Sequence, residues 1–136
     1  MTNDFPPRKA FGDDERDAID EVSTYYRYSD ADPGYNGIFQ DRFEEDLAKF
    51  YGKGEAAAVN SGTNALYIAL CALNLKEDRE VIVSPVTDSG TVHAILAANL
   101  VPVVADAAPG SYNTGLEQVR DCTTDKTAAV MLVHTA

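Results

Sequence analysis

The sequence predicts an α/β domain in three layers, a mainly parallel sheet with helices on both faces. Two observations lead there. Segments with helical apolar spacing alternate with short apolar runs four times along the chain. The runs are rich in Val, Ile and Ala and are bounded by turn residues, as buried strands are. Crossovers between such strands are mostly right-handed, which makes neighbouring strands parallel.

The elements follow in order. Residues 1–12 are Pro-rich and polar and read as an N-terminal arm; residues 13–136 form the domain. Residues 13–26 read as a helix whose acidic first turn suits the positive end of the helix dipole. Within it Ile19, Val22 and Tyr26 recur at helical spacing. Pro33, Gly34, Asn36 and Gly37 make the stretch from Ser29 onward a turn. A second helix spans 38–51, with Phe39, Phe43, Leu47 and Phe50 as its stripe and Gly52 as its stop. Residues 55–60 are a short Ala- and Val-rich run, read as a strand that ends in a polar turn. Residues 63–75 are helical, with Leu66, Ala69, Leu70 and Leu73 on one face. A β-branched strand at 81–83, bounded by Ser84 and Pro85, leads to a helix over 89–99. A strand at 101–105, a helix near 116–121 and a last strand at 128–133 complete the series.

Composition narrows the function. The chain has 136 residues, enough for one compact core, and carries 22 acidic against 11 basic residues. A net charge of −11 argues against nucleic acid or an anionic membrane as partner, while leaving room for a phosphate held by backbone N–H groups. Cys71, in an apolar helical run, reads as a buried free thiol, and neither it nor Cys122 lies in a metal-binding spacing. The start lacks the basic and apolar regions of a signal peptide, and no apolar stretch is long enough to span a bilayer, so a cytoplasmic protein is expected.

One segment carries chemistry. Val59-Asn60-Ser61-Gly62-Thr63-Asn64-Ala65-Leu66 stands where a strand would turn into a helix. Ligands of open α/β sheets bind at such turns, and the new helix offers unpaired N–H groups. Gly62 lets a bound group approach the backbone, while Ser61 and Thr63 add hydroxyls. A phosphate fits this turn; Ser61 serves equally as a plain helix cap. Dinucleotide and P-loop glycine patterns are both missing from the sequence.

Five blocks in order place that turn in a wider pattern. They are Phe43-Glu44-x-x-Leu47-Ala48-x-Phe50-Tyr51-Gly52, the Val59–Leu66 segment with Ala58 before it, Glu80-Val81-Ile82-Val83-Ser84-Pro85-Val86-Thr87, Val101-Pro102-Val103-Val104-Ala105-Asp106 and Thr127-Ala128-Ala129-Val130-Met131-Leu132-Val133-His134. From about Pro6 onward the chain resembles the DegT/DnrJ/StrS aminotransferases. The resemblance implies the first part of a fold-type-I large domain with pyridoxal 5'-phosphate (PLP) as cofactor. It also implies amino transfer from glutamate or glutamine to a keto-sugar, often nucleotide-linked, in a homodimer. The family's phosphate-holding turn maps to Ser61, Gly62 and Thr63.

Two departures accompany the resemblance. Many members stack an aromatic residue on the PLP ring just after a Pro-x-Thr, and here Pro85-Val86-Thr87 puts Asp88 at that position. A carboxylate has no π face. Either another group covers the ring or this branch acts on a different substrate, such as a cyclitol or an aminoaromatic precursor; Asp88 itself stands at the cofactor-binding position by the resemblance, or caps the helix that follows. The family's Schiff-base lysine and its aspartate partner for the pyridine nitrogen lie beyond the last strand. Lys49, Lys53, Lys76 and Lys126 stand in no such motif and read as surface charges. The chain is accordingly expected to be inactive alone: a truncation, a partner for a complementary C-terminal chain, or a non-catalytic fragment. His134, at the carboxyl end of the last strand, has a substrate-side or a backbone-satisfied reading, and His93 has no functional one.

Overall fold

The computed structural model describes residues 11–34 and 36–135. Most of the arm expected over residues 1–12 lies outside them. The chain divides into two compact units, Met1–Ala58 and Val59–Ala136.

The first unit holds α1 (Asp13–Tyr28) and α2 (Ile38–Phe50). Glu15 reaches back to the Gly12 N–H at 2.6 Å, and Asp13 and Asp14 add charge to the same first turn. The helix outruns its expected end by two residues, through Arg27 and Tyr28. Tyr25 and Tyr26 meet Phe39 with ring centroids 5.5 and 5.9 Å apart, and Glu21 takes a 2.7 Å bond from Arg42. That pair is exposed on both sides, where solvent screening leaves it little net stability. Neither helix buries a residue; Phe50, in the expected stripe, is 81% exposed. Gly52, at φ +86°, ends α2 as expected, because the left-handed region is open to glycine.

A side chain closes this unit. The Glu44 carboxylate accepts from the Ala58 N–H at 2.7 Å and from the Gln40 amide at 2.9 Å. The Ala58 bond first, and the Gln40 bond second, hold its carboxyl below the ordinary 4.5. A depressed folded value means the latch contributes fully above the unfolded pKa and is lost as pH falls through the folded one. A side-chain carboxyl NMR titration is expected to place the Glu44 midpoint below 4.5, and a midpoint at or above that value would rule the latch out.

The second unit holds α3 (Gly62–Ala72), β1 (Glu80–Val83), α4 (Ser89–Ala97), β2 (Val101–Val104), α5 (Leu116–Cys122) and β3 (Thr127–Met131). Its three strands lie in the order β2-β1-β3. Both pairings are parallel, with Glu80 opposite Val101 on one side and Thr127 on the other. The parallel α/β architecture expected from the sequence is thus present. Val81, Ile82 and Val83 are fully buried, so the central strand is covered on both faces. Val81 and Val83 share a core with Leu70 of α3, Ala94 and Ile95 of α4, and Leu100.

Three expectations need correction. Residues 55–60 form no strand. A strand needs a hydrogen-bonding neighbour, and no sheet edge among the described residues pairs with this segment. Cys71 is exposed, not buried. The core face of α3 is centred on Leu70, and a helix turns the next side chain about 100° away. Lastly, β3 leaves the ladder at Met131, short of the expected 133, where the Val133 N–H turns to the Ser84 hydroxyl at 3.4 Å. Beyond it the Asn113 side chain holds Thr135 by both backbone groups, at 2.7 and 2.9 Å. No helix among the described residues is long and apolar enough to cross a membrane.

Candidate functional site at two helix starts

The second unit brings the starts of α3 and α4 together, and each start is built differently. Ser61 is extended ahead of α3; its hydroxyl accepts from the Asn64 N–H at 3.1 Å and its carbonyl from the Ala65 N–H at 3.0 Å. The N–H groups of Gly62 and Thr63 have no acceptor among the described residues. They are the unpaired donors that every helix start leaves, at the positive end of the dipole. A Cβ placed on Gly62 would meet nothing within 4 Å, so the turn is open on that side.

At α4 two of the first-turn donors are taken by Asp88. Asp88 caps the helix: its carboxylate accepts from the Gly90 N–H at 2.8 Å and its carbonyl from the Thr91 N–H at 3.1 Å. The Thr91 hydroxyl pairs with that of Thr87 at 2.7 Å. Between the two starts lies an open cleft of about 550 Å³ whose lining includes Gly62, Thr63, Asp88, Gly90 and Thr91. At α3 the Gly62 and Thr63 N–H groups are left without an acceptor among the described residues, whereas at α4 the Asp88 carboxylate takes the Gly90 N–H.

Of the residues picked from sequence, Gly62, Thr63 and Asp88 share this cleft, while Ser61 stands behind it as a cap. Asp88 takes the capping role that the sequence left open, and it lines the cleft as well. Gly90 and Thr91, which also line the cleft, belong to no motif in the sequence. The available signal was a glycine inside a helical pattern, which asks for a packing reason. Lys49, Lys53, Lys76 and Lys126 are all exposed, as are His93 and His134. Lys49 pairs with Asp46 at 3.1 Å and Glu45 at 3.6 Å.

Comparison with known proteins covers nearly the whole chain. Residues 16–136 match the DegT/DnrJ/EryC1/StrS aminotransferase family. The chain is 37% identical over 99 residues to dTDP-4-amino-4,6-dideoxy-D-glucose transaminase of Escherichia coli, covering 73% of this chain and 26% of that protein. It superposes on an aminotransferase from Psychrobacter cryohalolentis with a TM-score of 0.77 and 29% identity, over 93% of this chain and 31% of the other. A GDP-4-keto-6-deoxymannose-3-dehydratase with a trapped PLP-glutamate geminal diamine gives a TM-score of 0.76 and 26% identity, over 90% of this chain and 32% of the other. The chain thus spans about a quarter of the length of the curated relatives it matches.

Proposed function

Since this chain belongs to the DegT/DnrJ/EryC1/StrS aminotransferase family, we propose that it supplies the phosphate-holding part of a PLP enzyme that moves an amino group from glutamate to a keto-sugar. One observation carries the reading: two unpaired N–H groups, on Gly62 and Thr63, at a helix start whose glycine leaves the approach open. The cleft fits the phosphate end of the cofactor. Gly62 and Thr63 donate from the backbone, and the Thr63 hydroxyl, which has no protein partner among the described residues, donates a third bond. Ser61 keeps Asn64 and the turn in place. Asp88 takes the Gly90 and Thr91 N–H groups of α4, which favours the α3 start as the phosphate seat.

When bound, PLP supplies the electron sink that amino transfer needs. The four described lysines are exposed and none lines the cleft, so the covalent anchor is assigned to a lysine other than these. Glutamate as donor is supported by the PLP-glutamate species in the related dehydratase. That enzyme also favours a second reading, removal of a sugar hydroxyl at the same kind of site. A homodimeric, cytoplasmic enzyme is part of the proposal.

Thr63→Ala tests the seat. Loss of one charge-assisted hydrogen bond costs about 1.5–3 kcal/mol, on the order of 10- to 100-fold in PLP affinity. Absorbance titration of the full-length protein reads it. Lys53→Ala and Lys76→Ala are expected to bind PLP like the parent; the reverse pattern would remove the phosphate from this turn.

A further inference from the structure

Gly90 is a glycine without a backbone reason. It sits in the first turn of α4, away from the left-handed region, and is buried. Glycine weakens a helix relative to alanine, so what it contributes here is space. A Cβ on Gly90 would collide with Thr63 Oγ1 and come within 3.0 Å of Asp88 Oδ1. The packing of α3 on α4 therefore brings the Thr63 hydroxyl into the gap left by the missing side chain. Thr63 is β-branched and stiff about χ1, so it cannot give way by small adjustments.

We propose that Gly90 is a positioning residue: the absence of its side chain sets the rotamer of Thr63 and so aims the Thr63 hydroxyl into the cleft. The inference rests on the phosphate reading of that cleft. With any side chain at position 90, the Thr63 hydroxyl must swing to another well or α4 must back away. The swing costs the ligand the third donor while leaving the N–H groups of Gly62 and Thr63 in place, whereas a retreat of α4 would keep that donor and leave PLP affinity parental. A residue 27 positions away in sequence then decides how many donors the phosphate meets.

A double-mutant cycle in the full-length protein separates this from a general packing role. PLP affinity and the thermal stability of the cofactor-free protein are both measured for Thr63→Ala, Gly90→Ala and the pair. Gly90→Ala alone is expected to weaken PLP 10- to 100-fold, as Thr63→Ala does. The pair is expected to bind no worse than Thr63→Ala. Stability is expected to fall more on Gly90→Ala when Thr63 is present than when residue 63 is alanine, where the collision with the hydroxyl is gone and the close approach to Asp88 Oδ1 remains. If Gly90→Ala alone fails to accumulate while the pair folds, the collision is supported, and equal PLP affinity of the pair and Thr63→Ala completes the case. Additive losses, or parental binding by Gly90→Ala, overturn the positioning role and leave the phosphate reading standing. Parental binding by Thr63→Ala overturns both.

Discussion

Gly62→Val is expected to leave the fold intact and abolish tight PLP binding. The two halves of that result come from different features of one residue. Gly62 lies outside the left-handed region, and a Cβ there meets no protein atom within 4 Å. Valine at the first position of α3 therefore meets no steric cost, and its intrinsic helix propensity is higher than that of the glycine it replaces. The same open side is where ligand oxygens must come to reach two N–H groups. A branched side chain there displaces both bonds, each about 1.5–3 kcal/mol, so affinity is expected to drop about 10²- to 10⁴-fold. Thermal denaturation of the cofactor-free protein and PLP titration together check this. A parental affinity would move the phosphate elsewhere. A collapse in stability would mean that the turn is tighter than its geometry states.

Ile95→Ala is expected to be the most damaging of the conservative changes in the second unit. Ile95 is fully buried in the core that α4 shares with Val81, Val83 and Leu100. Removing its outer carbons leaves a cavity under the central strand and costs about 2–5 kcal/mol. His93→Ala, two residues earlier and exposed, is expected to change stability by no more than about 0.5 kcal/mol. Denaturant midpoints on the full-length protein measure both. Comparable effects at the two positions would place the core on a different face of α4.

Much of this architecture was legible because each strand carries its own signal. Val81-Ile82-Val83 is β-branched and ends at Ser84-Pro85, and it forms the buried centre of the sheet. The open helix start was legible as well, since Ser-Gly-Thr at the head of an apolar helix combines a cap, an open backbone and unpaired donors. Residues 55–60 misled for a physical reason: a short apolar run describes what a segment can bury, not whether a partner edge exists. Asp88 stayed undecided because capping depends on where its helix begins, to the residue. The approach of Gly90 to Thr63 was hidden altogether. It is set by how two helices pack on one sheet, and no local pattern reports that.

The strand order β2-β1-β3 also fixes a schedule for the nascent chain. β1 is synthesised first, and its neighbours are laid down afterwards, β2 on one edge and then β3 on the other. Closing β3 onto β1 spans about twice the loop that β2 does, and a doubling adds only about 0.6 kcal/mol of entropy. Thermodynamics therefore barely distinguishes the two pairings, and time of emergence does. At ribosomal speeds of roughly 5–20 residues per second, β3 follows β2 by an interval on the order of seconds. Through that interval one edge of β1 has its N–H and C=O groups bare, next to Val81, Ile82 and Val83. The strand that ends as the most protected in the unit is for those seconds its most adhesive, and a ribosome stalled between β2 and β3 would hold it in that condition.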